Sequence, residues 1–216
     1  MSTTVQRNLT AYAESSELNK YGARLKYSKL LRVIDESHES ITSNITTVEM
    51  RRDLRLAVSE VAEYAIDFGN EFHVRSMNGF NIRSSAFRVS NISVDVYLYD
   101  VPNSTAEKGQ ISLFSLNEGS STPVIQSRNV GVINYKKGRI TLDPINIVSG
   151  KTKDNVDILE ISATPESNDI IGLQDLYLQL DSSVVDMVVD EISSGADPSG
   201  STYTVTTSYK NGSIIR

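Results

Sequence analysis

The chain has 216 residues, 39% hydrophobic and 22% charged, a composition that suits one or two domains with real cores and excludes disorder by composition. Its net charge of −6 and pI near 5.0 argue against nucleic-acid binding, which needs a basic face, and the absence of cysteine removes disulfides, thiolate metal sites and thiol nucleophiles. No run of about 18 apolar residues occurs, so no membrane-spanning helix is expected, and the polar opening lacks the apolar region of a signal peptide.

Residues 1–20 are polar and weakly patterned, and read as an N-terminal tail or linker, with a frayed helix as the alternative. Tyr27, Leu30, Leu31 and Ile34 then fall at helical spacing, with Arg24, Lys26, Lys29 and Arg32 elsewhere on the wheel. They predict a helix over 24–36 packed on a core, with His38 capping its end. Residues 44–57 fit two templates. Thr46, Val48 and Met50 alternate like a strand, whereas Met50, Leu54, Ala57, Val58, Val61 and Ala65 also fit a helix.

From here the period is 2. Tyr64, Ile66 and Phe68 alternate before the Gly69-Asn70 turn, and Asn78-Gly79 has the chemistry of a type I′ hairpin ahead of Phe80, Ile82 and Ser84. Ile92, Val94, Val96 and Leu98 predict one face of a strand, with Tyr97 and Tyr99 outward on the other, ending at Pro102. Strands are expected at Ile111–Ser115, Val124–Ile133, Arg139–Leu142, Ile145–Val148 and Val156–Ile161. Leu176 to Leu180, Val184 to Asp190 (where Val185, Val188, Val189 and Ile192 also fit helical spacing) and a hairpin over 203–215 continue the series. The expected fold class is α+β, predominantly antiparallel β with a helix near residues 24–36. The organisation reads as a tail over 1–20, helix plus strands over 21–70, a β-rich domain over 71–192, and a C-terminal loop and hairpin over 193–216.

The segment Asn129 to Leu142 is the strongest local signal. Two alternating arms flank Tyr135-Lys136-Lys137-Gly138, so Gly138 is expected at positive φ in a bulged hairpin turn. Gly138→Val should then cost more than about 1 kcal/mol.

No nucleotide, hydrolase or metalloprotease motif is present. Asp154-Asn155-Val156-Asp157 with Glu160 offers oxygens at a spacing that could touch calcium, but it lacks the central glycine and reads as a solvated turn. His73 reads as a surface or hydrogen-bonded residue near a turn. With 27 acidic residues some carboxylates must lie close together, so pairs carry no signal. No catalytic, cofactor-binding or metal-binding residue is expected. Tyrosine is enriched at interfaces, and the interface candidates are Tyr97, Tyr99, Tyr203, Tyr209, Arg51 and Arg52, against the simpler reading of Tyr97 and Tyr99 as cross-strand packing.

Tyr21-Gly-Ala-Arg-Leu-Lys-Tyr-Ser-Lys-Leu-Leu-Arg-Val-Ile-Asp35, continuing through Ile41 to Arg51, resembles the later part of the baseplate wedge protein of T-even-like contractile-tail phages, within the baseplate J-like group. Tyr64 to Asn70 and the hairpin around Asn134 to Gly138 fit the same pattern, so the resemblance spans about 20–180. It implies an extended stretch at Thr46–Arg51, hence a strand over about 44–55. It also implies a C-terminal piece of a longer protein with no catalytic residues. Its partners would be a second copy, forming a dimer and then a ring, and other baseplate wedge proteins, with neither nucleic acid nor membrane. Its place would be the tail baseplate of the virion, assembled in the host cytoplasm. The runner-up is a receptor-binding or adhesin-type β module of a phage tail.

Overall fold

A computed structural model describes residues 1–20, 22–117, 122–171, 178 and 187–188. The chain divides into two compact units, one reaching Leu180 and the other running from Asp181 to Arg216. The strands expected at 176–180 and 184–190 and the hairpin at 203–215 lie outside the described residues, apart from the isolated positions 178 and 187–188.

The fold is mainly antiparallel β with two helices among the described residues, as the alternation predicted. Residues 1–20, expected as tail or linker, carry helix α1, Ser2–Ala13. Its apolar residues are few, but Val5, Leu9 and Tyr12 fall at i, i+4 and i+7 and are buried together. The second helix is shorter than expected. Arg24–Leu25 form strand β1, and α2 spans Tyr27–Asp35. The reason is tertiary: β1 pairs antiparallel with β12, Ile170–Ile171, and the Asp169 carboxylate accepts the Tyr27 amide at 2.8 Å. That carboxylate satisfies one of the free N–H groups at the helix start and sits at the positive end of its dipole. Of the predicted stripe only Leu30 is fully buried. His38 does not cap the helix, because its Nδ1 accepts the Ser40 amide instead.

The ambiguous region resolves as strand, but late. Residues 44–49 hold no regular element, and Tyr27 donates its hydroxyl to the Thr46 carbonyl there. Strand β2, Met50–Arg55, follows, and β3 is Val61–Asp67. The remaining strands are β4 (Ile82–Ser84), β5 (Arg88–Val89), β6 (Tyr97–Pro102), β7 (Lys108–Leu116), β8 (Pro123–Asn134), β9 (Arg139–Ser149), β10 (Lys151–Lys153) and β11 (Val156–Ala163). Among the described residues the larger sheet runs β3-β9-β8-β7-β6, with β5 also on β9. The smaller runs β10-β11-β2, with β4 also on β11. Ile111, Leu113, Ile133, Ile140, Leu142 and Ile147 of the larger sheet are at most 1% exposed, as are Leu159 and Ile161 of the smaller.

Several local expectations change in this frame. The two segments expected at 139–148 are one strand that passes through Pro144. Its register to β3 shifts between Ala62 and Tyr64, so the proline lies at an irregularity where no ladder donor is needed. The expected strand 92–99 begins only at Tyr97, with a turn and bend before it and Val94 44% exposed. Asn78-Gly79 does not close a hairpin, because β3 pairs with β9 and β4 with β11. Positive φ falls instead on Gly79 (93°) and Phe80 (63°). A two-residue hairpin does occur at Asp154-Asn155, both at positive φ, between Lys153 and Val156. The Asn134–Arg139 hairpin forms as expected with Gly138 at φ 63°, but its register is regular. The β7–β8 pairing is irregular at two places, between Ser127 and Gly131, where Asn129 has φ 56°, and at Gln126 between Ile125 and Ser127.

Candidate interaction surface

Strands β6, β7 and β8 set Tyr97, Phe114 and Ile125 side by side across the larger sheet, since Tyr97 pairs with Phe114 and Phe114 with Ile125. The Tyr97 and Phe114 rings are 5.4 Å apart. Phe80 reaches the same face from the loop before β4. It stacks on Tyr99 at 5.0 Å and meets Phe114 edge-on at 5.4 Å. Tyr99 is thereby only 4% exposed, whereas Phe80 is 50% and Ile125 42% exposed. Each aromatic pair contributes about 0.5–1.5 kcal/mol beyond simple burial.

Phe80 is held where it is at some cost, because a bulky residue at positive φ loses about 1–2 kcal/mol. What holds it is Asp100, a fully buried carboxylate. Its Oδ1 accepts the Asn81 amide at 2.7 Å and the Ile82 amide at 3.0 Å. Its Oδ2 accepts Asn81 Nδ2 at 2.7 Å and the Tyr135 hydroxyl at 2.6 Å. Burial, and then the bond to Asp100, push the Tyr135 hydroxyl far above the ordinary phenol range, so it stays a donor. Gly79 completes the fit, for a Cβ there would lie 1.9 Å from the Asp100 carbonyl oxygen. With four donors on two oxygens, Asp100 acts as a clamp that ties the 76–82 loop to β6, and offers no free lone pair for acid–base work.

A second polar feature lies on the smaller sheet. Asp53 and Glu160 stand directly opposite each other on β2 and β11, a like-charge pair that costs energy by itself. Three cations offset it. Arg51 lies 3.1 Å from Asp53 and 3.4 Å from Glu160, Lys151 2.9 Å from Glu160, and Lys153 2.7 Å from Asp53. Burial alone would raise the Asp53 pKa, but Lys153 and Arg51 hold it below the usual carboxylate range. A depressed folded-state pKa stabilises the protein above the unfolded value, and this stability disappears as pH falls through the folded value. Urea midpoints should therefore drop more steeply below about pH 4 for the parent than for Asp53→Asn, a difference under about 1 kcal/mol that added salt shrinks. Identical acid limbs for the two proteins would contradict this account.

The sequence-based interface candidates are thus separated. Tyr97 and Tyr99 share one aromatic face, with Tyr99 covered by Phe80. Arg51 is engaged in the charge ladder on the smaller sheet, while Arg52 lies half-buried on the opposite side of β2, paired with Ile161. Tyr203 and Tyr209 lie outside the described residues. His73 bonds Glu166 at 2.7 Å on the surface. Sequence reasoning missed Phe80, Phe114, Ile125 and Asp100. The one available signal was Asp100 itself, a carboxylate closing the apolar run Val96 to Tyr99. Among the described residues no group of three or more histidine, aspartate or glutamate side chains could hold a metal ion, and no helix is long and apolar enough to cross a membrane.

Residues 1–53, from α1 into β2, match the family model described as baseplate structural protein gp6, C-terminal domain III. No curated protein matches the chain. The family match covers about a quarter of the sequence and supports a structural component of a phage baseplate, located in the virion tail.

Proposed function

We propose that this chain is a self-associating wedge component of a contractile phage tail baseplate, pairing with a second copy and contributing to the inner ring. The match of residues 1–53 to a baseplate structural protein carries this reading. Two features of the chain favour it. An aromatic face is held partly exposed by a buried clamp, at the expense of strain at Phe80. The buried carboxylate Asp100 is saturated by donors and suited to holding shape. Other wedge proteins are the further partners, and the work is assembly, with no catalytic residue assigned.

Light scattering across a concentration series should give a mass rising from 23.8 kDa toward at least twice that value. A mass that stays at the single-chain value into the high micromolar range would rule out self-association by this chain alone.

A further inference from the structure

Between α2 and β2 the chain runs uncharged from Ser40 to Val48, apart from the flanking Glu39 and Glu49. Its burial alternates. Asn44 and Thr46 are half-buried and Val48 is buried, whereas Ser43, Ile45 and Thr47 are exposed, Ile45 at 99%. A period of two is the mark of an extended chain.

The hydrogen bonds follow the same alternation. Asn44 Nδ2 donates to the Asp35 carboxylate at 2.6 Å, the Thr46 hydroxyl donates to Asn44 Oδ1 at 3.0 Å, and the Thr46 carbonyl accepts the Tyr27 hydroxyl. Ser43, Ile45 and Thr47 make no hydrogen bond among the described residues, and 42–49 join no β-ladder. In an extended chain the backbone groups of successive residues face opposite edges. Tyr27 occupies the edge that carries the Thr46 carbonyl. The free N–H and C=O groups of Ser43, Ile45 and Thr47 therefore all face the other edge, which is a template for a further strand. The inward side chains are already anchored, so pairing there costs little further ordering.

We propose that residues 43–47 pair antiparallel with the same segment of a second copy. The inference rests on the self-association reading and names the segment that makes the contact. A two-fold axis at Ile45 sets Ile45 opposite its counterpart and Ser43 opposite Thr47, so that each facing pair exchanges both backbone hydrogen bonds. All the groups used come from the free edge, and no facing pair carries charge. Two copies with net charge −6 repel each other least along such a stretch. The two Ile45 residues, about 5.5 Å apart at Cα, put their side chains on one face and cover each other. A ribbon this short buries less than a standard interface, so the dimer is weak and reversible.

The test uses the full chain. Ile45→Asp brings two carboxylates together at the axis and should weaken dimerisation at least about tenfold. Since Ile45 is 99% exposed, the variant should melt with the parent where both are monomeric. Val132→Asp, at a position 55% exposed on the larger sheet, is the control and should dimerise like the parent. Hydrogen exchange of the parent, read amide by amide, is the second measurement. Ser43, Ile45 and Thr47 should be protected at dimer concentrations and exchange faster on dilution, while Asn44 and Thr46 exchange freely throughout. A dimer that survives Ile45→Asp, or that lacks this alternating protection, would leave self-association standing and overturn the proposed contact. Protection that dilution to monomer leaves unchanged would mean that the chain itself covers the edge, and would also overturn it. A parent that never dimerises would end both readings and leave the edge to a different protein.

Discussion

Asp100→Ala should lower stability by about 3–5 kcal/mol, the loss expected when a buried, fully bonded charged group leaves its partners behind. The substitution strands the Asn81 and Ile82 amides, Asn81 Nδ2 and the Tyr135 hydroxyl, and opens a gap beneath the 76–82 loop. Asp100→Asn should cost less. Its remaining oxygen can keep both backbone amides, but its new NH2 group faces Asn81 Nδ2, donor against donor. Tyr135→Phe removes one donor from a carboxylate that retains three, and should cost about 1 kcal/mol. Urea unfolding should therefore rank the variants Ala, Asn, Phe in order of damage. The same loop positions Phe80, so Asp100→Ala should also loosen the aromatic face, visible as faster hydrogen exchange at residues 76–82. If Asp100→Ala unfolded with the parent's midpoint, the clamp would be a geometric coincidence without energetic weight.

Gly138→Val should be nearly as damaging, at above about 3 kcal/mol, or a fall in Tm of roughly 6–12 °C for a chain of this size. Positive φ at 63° accounts for part of this, since a β-branched residue resists that region. The larger share comes from packing. A Cβ at position 138 would lie 1.9 Å from the Asn70 carbonyl oxygen, which is backbone and cannot swing aside. Moving that backbone disturbs more than the turn. Phe68 donates its amide to the Gly138 carbonyl and Phe72 to the Tyr135 carbonyl, so the 68–72 segment is seated on this hairpin. Asn70 in turn brackets Ile171, accepting its amide and donating to its carbonyl, next to the β1–β12 pair. Gly138→Ala separates the two contributions, because it keeps the Cβ clash without the β-branch. Calorimetry should place it between parent and valine variant. A valine variant that melts with the parent would refute the turn assignment.

The hairpin shows how far local chemistry reaches. The alternation of Val130, Val132, Ile140 and Leu142 and the glycine after two lysines sufficed for the strands, the loop and its handedness. The seating of Asn70 on Gly138 could not be read there, because 68 residues separate the two positions. The same division holds at 24–36. Helical spacing was visible, but the first two residues went to a strand whose partner is Ile170–Ile171. At Asn78-Gly79 the turn dipeptide was recognised and its hairpin wrongly inferred, since Asp100 captures the Asn81 and Ile82 amides and β4 pairs with β11. Of the candidate surface, Tyr97 and Tyr99 were legible as residues sharing a face. Their cover by Phe80 and the row through Phe114 to Ile125 were not.

By itself the sequence determined the fold class, most strand positions and one turn, because side-chain alternation and φ preference act between near neighbours along the chain. Only the tertiary structure decided which strands pair and which carboxylate is buried. Those outcomes depend on hydrogen-bond partners and apolar surfaces contributed by residues far apart in the chain, and on the competition among them for the same backbone groups.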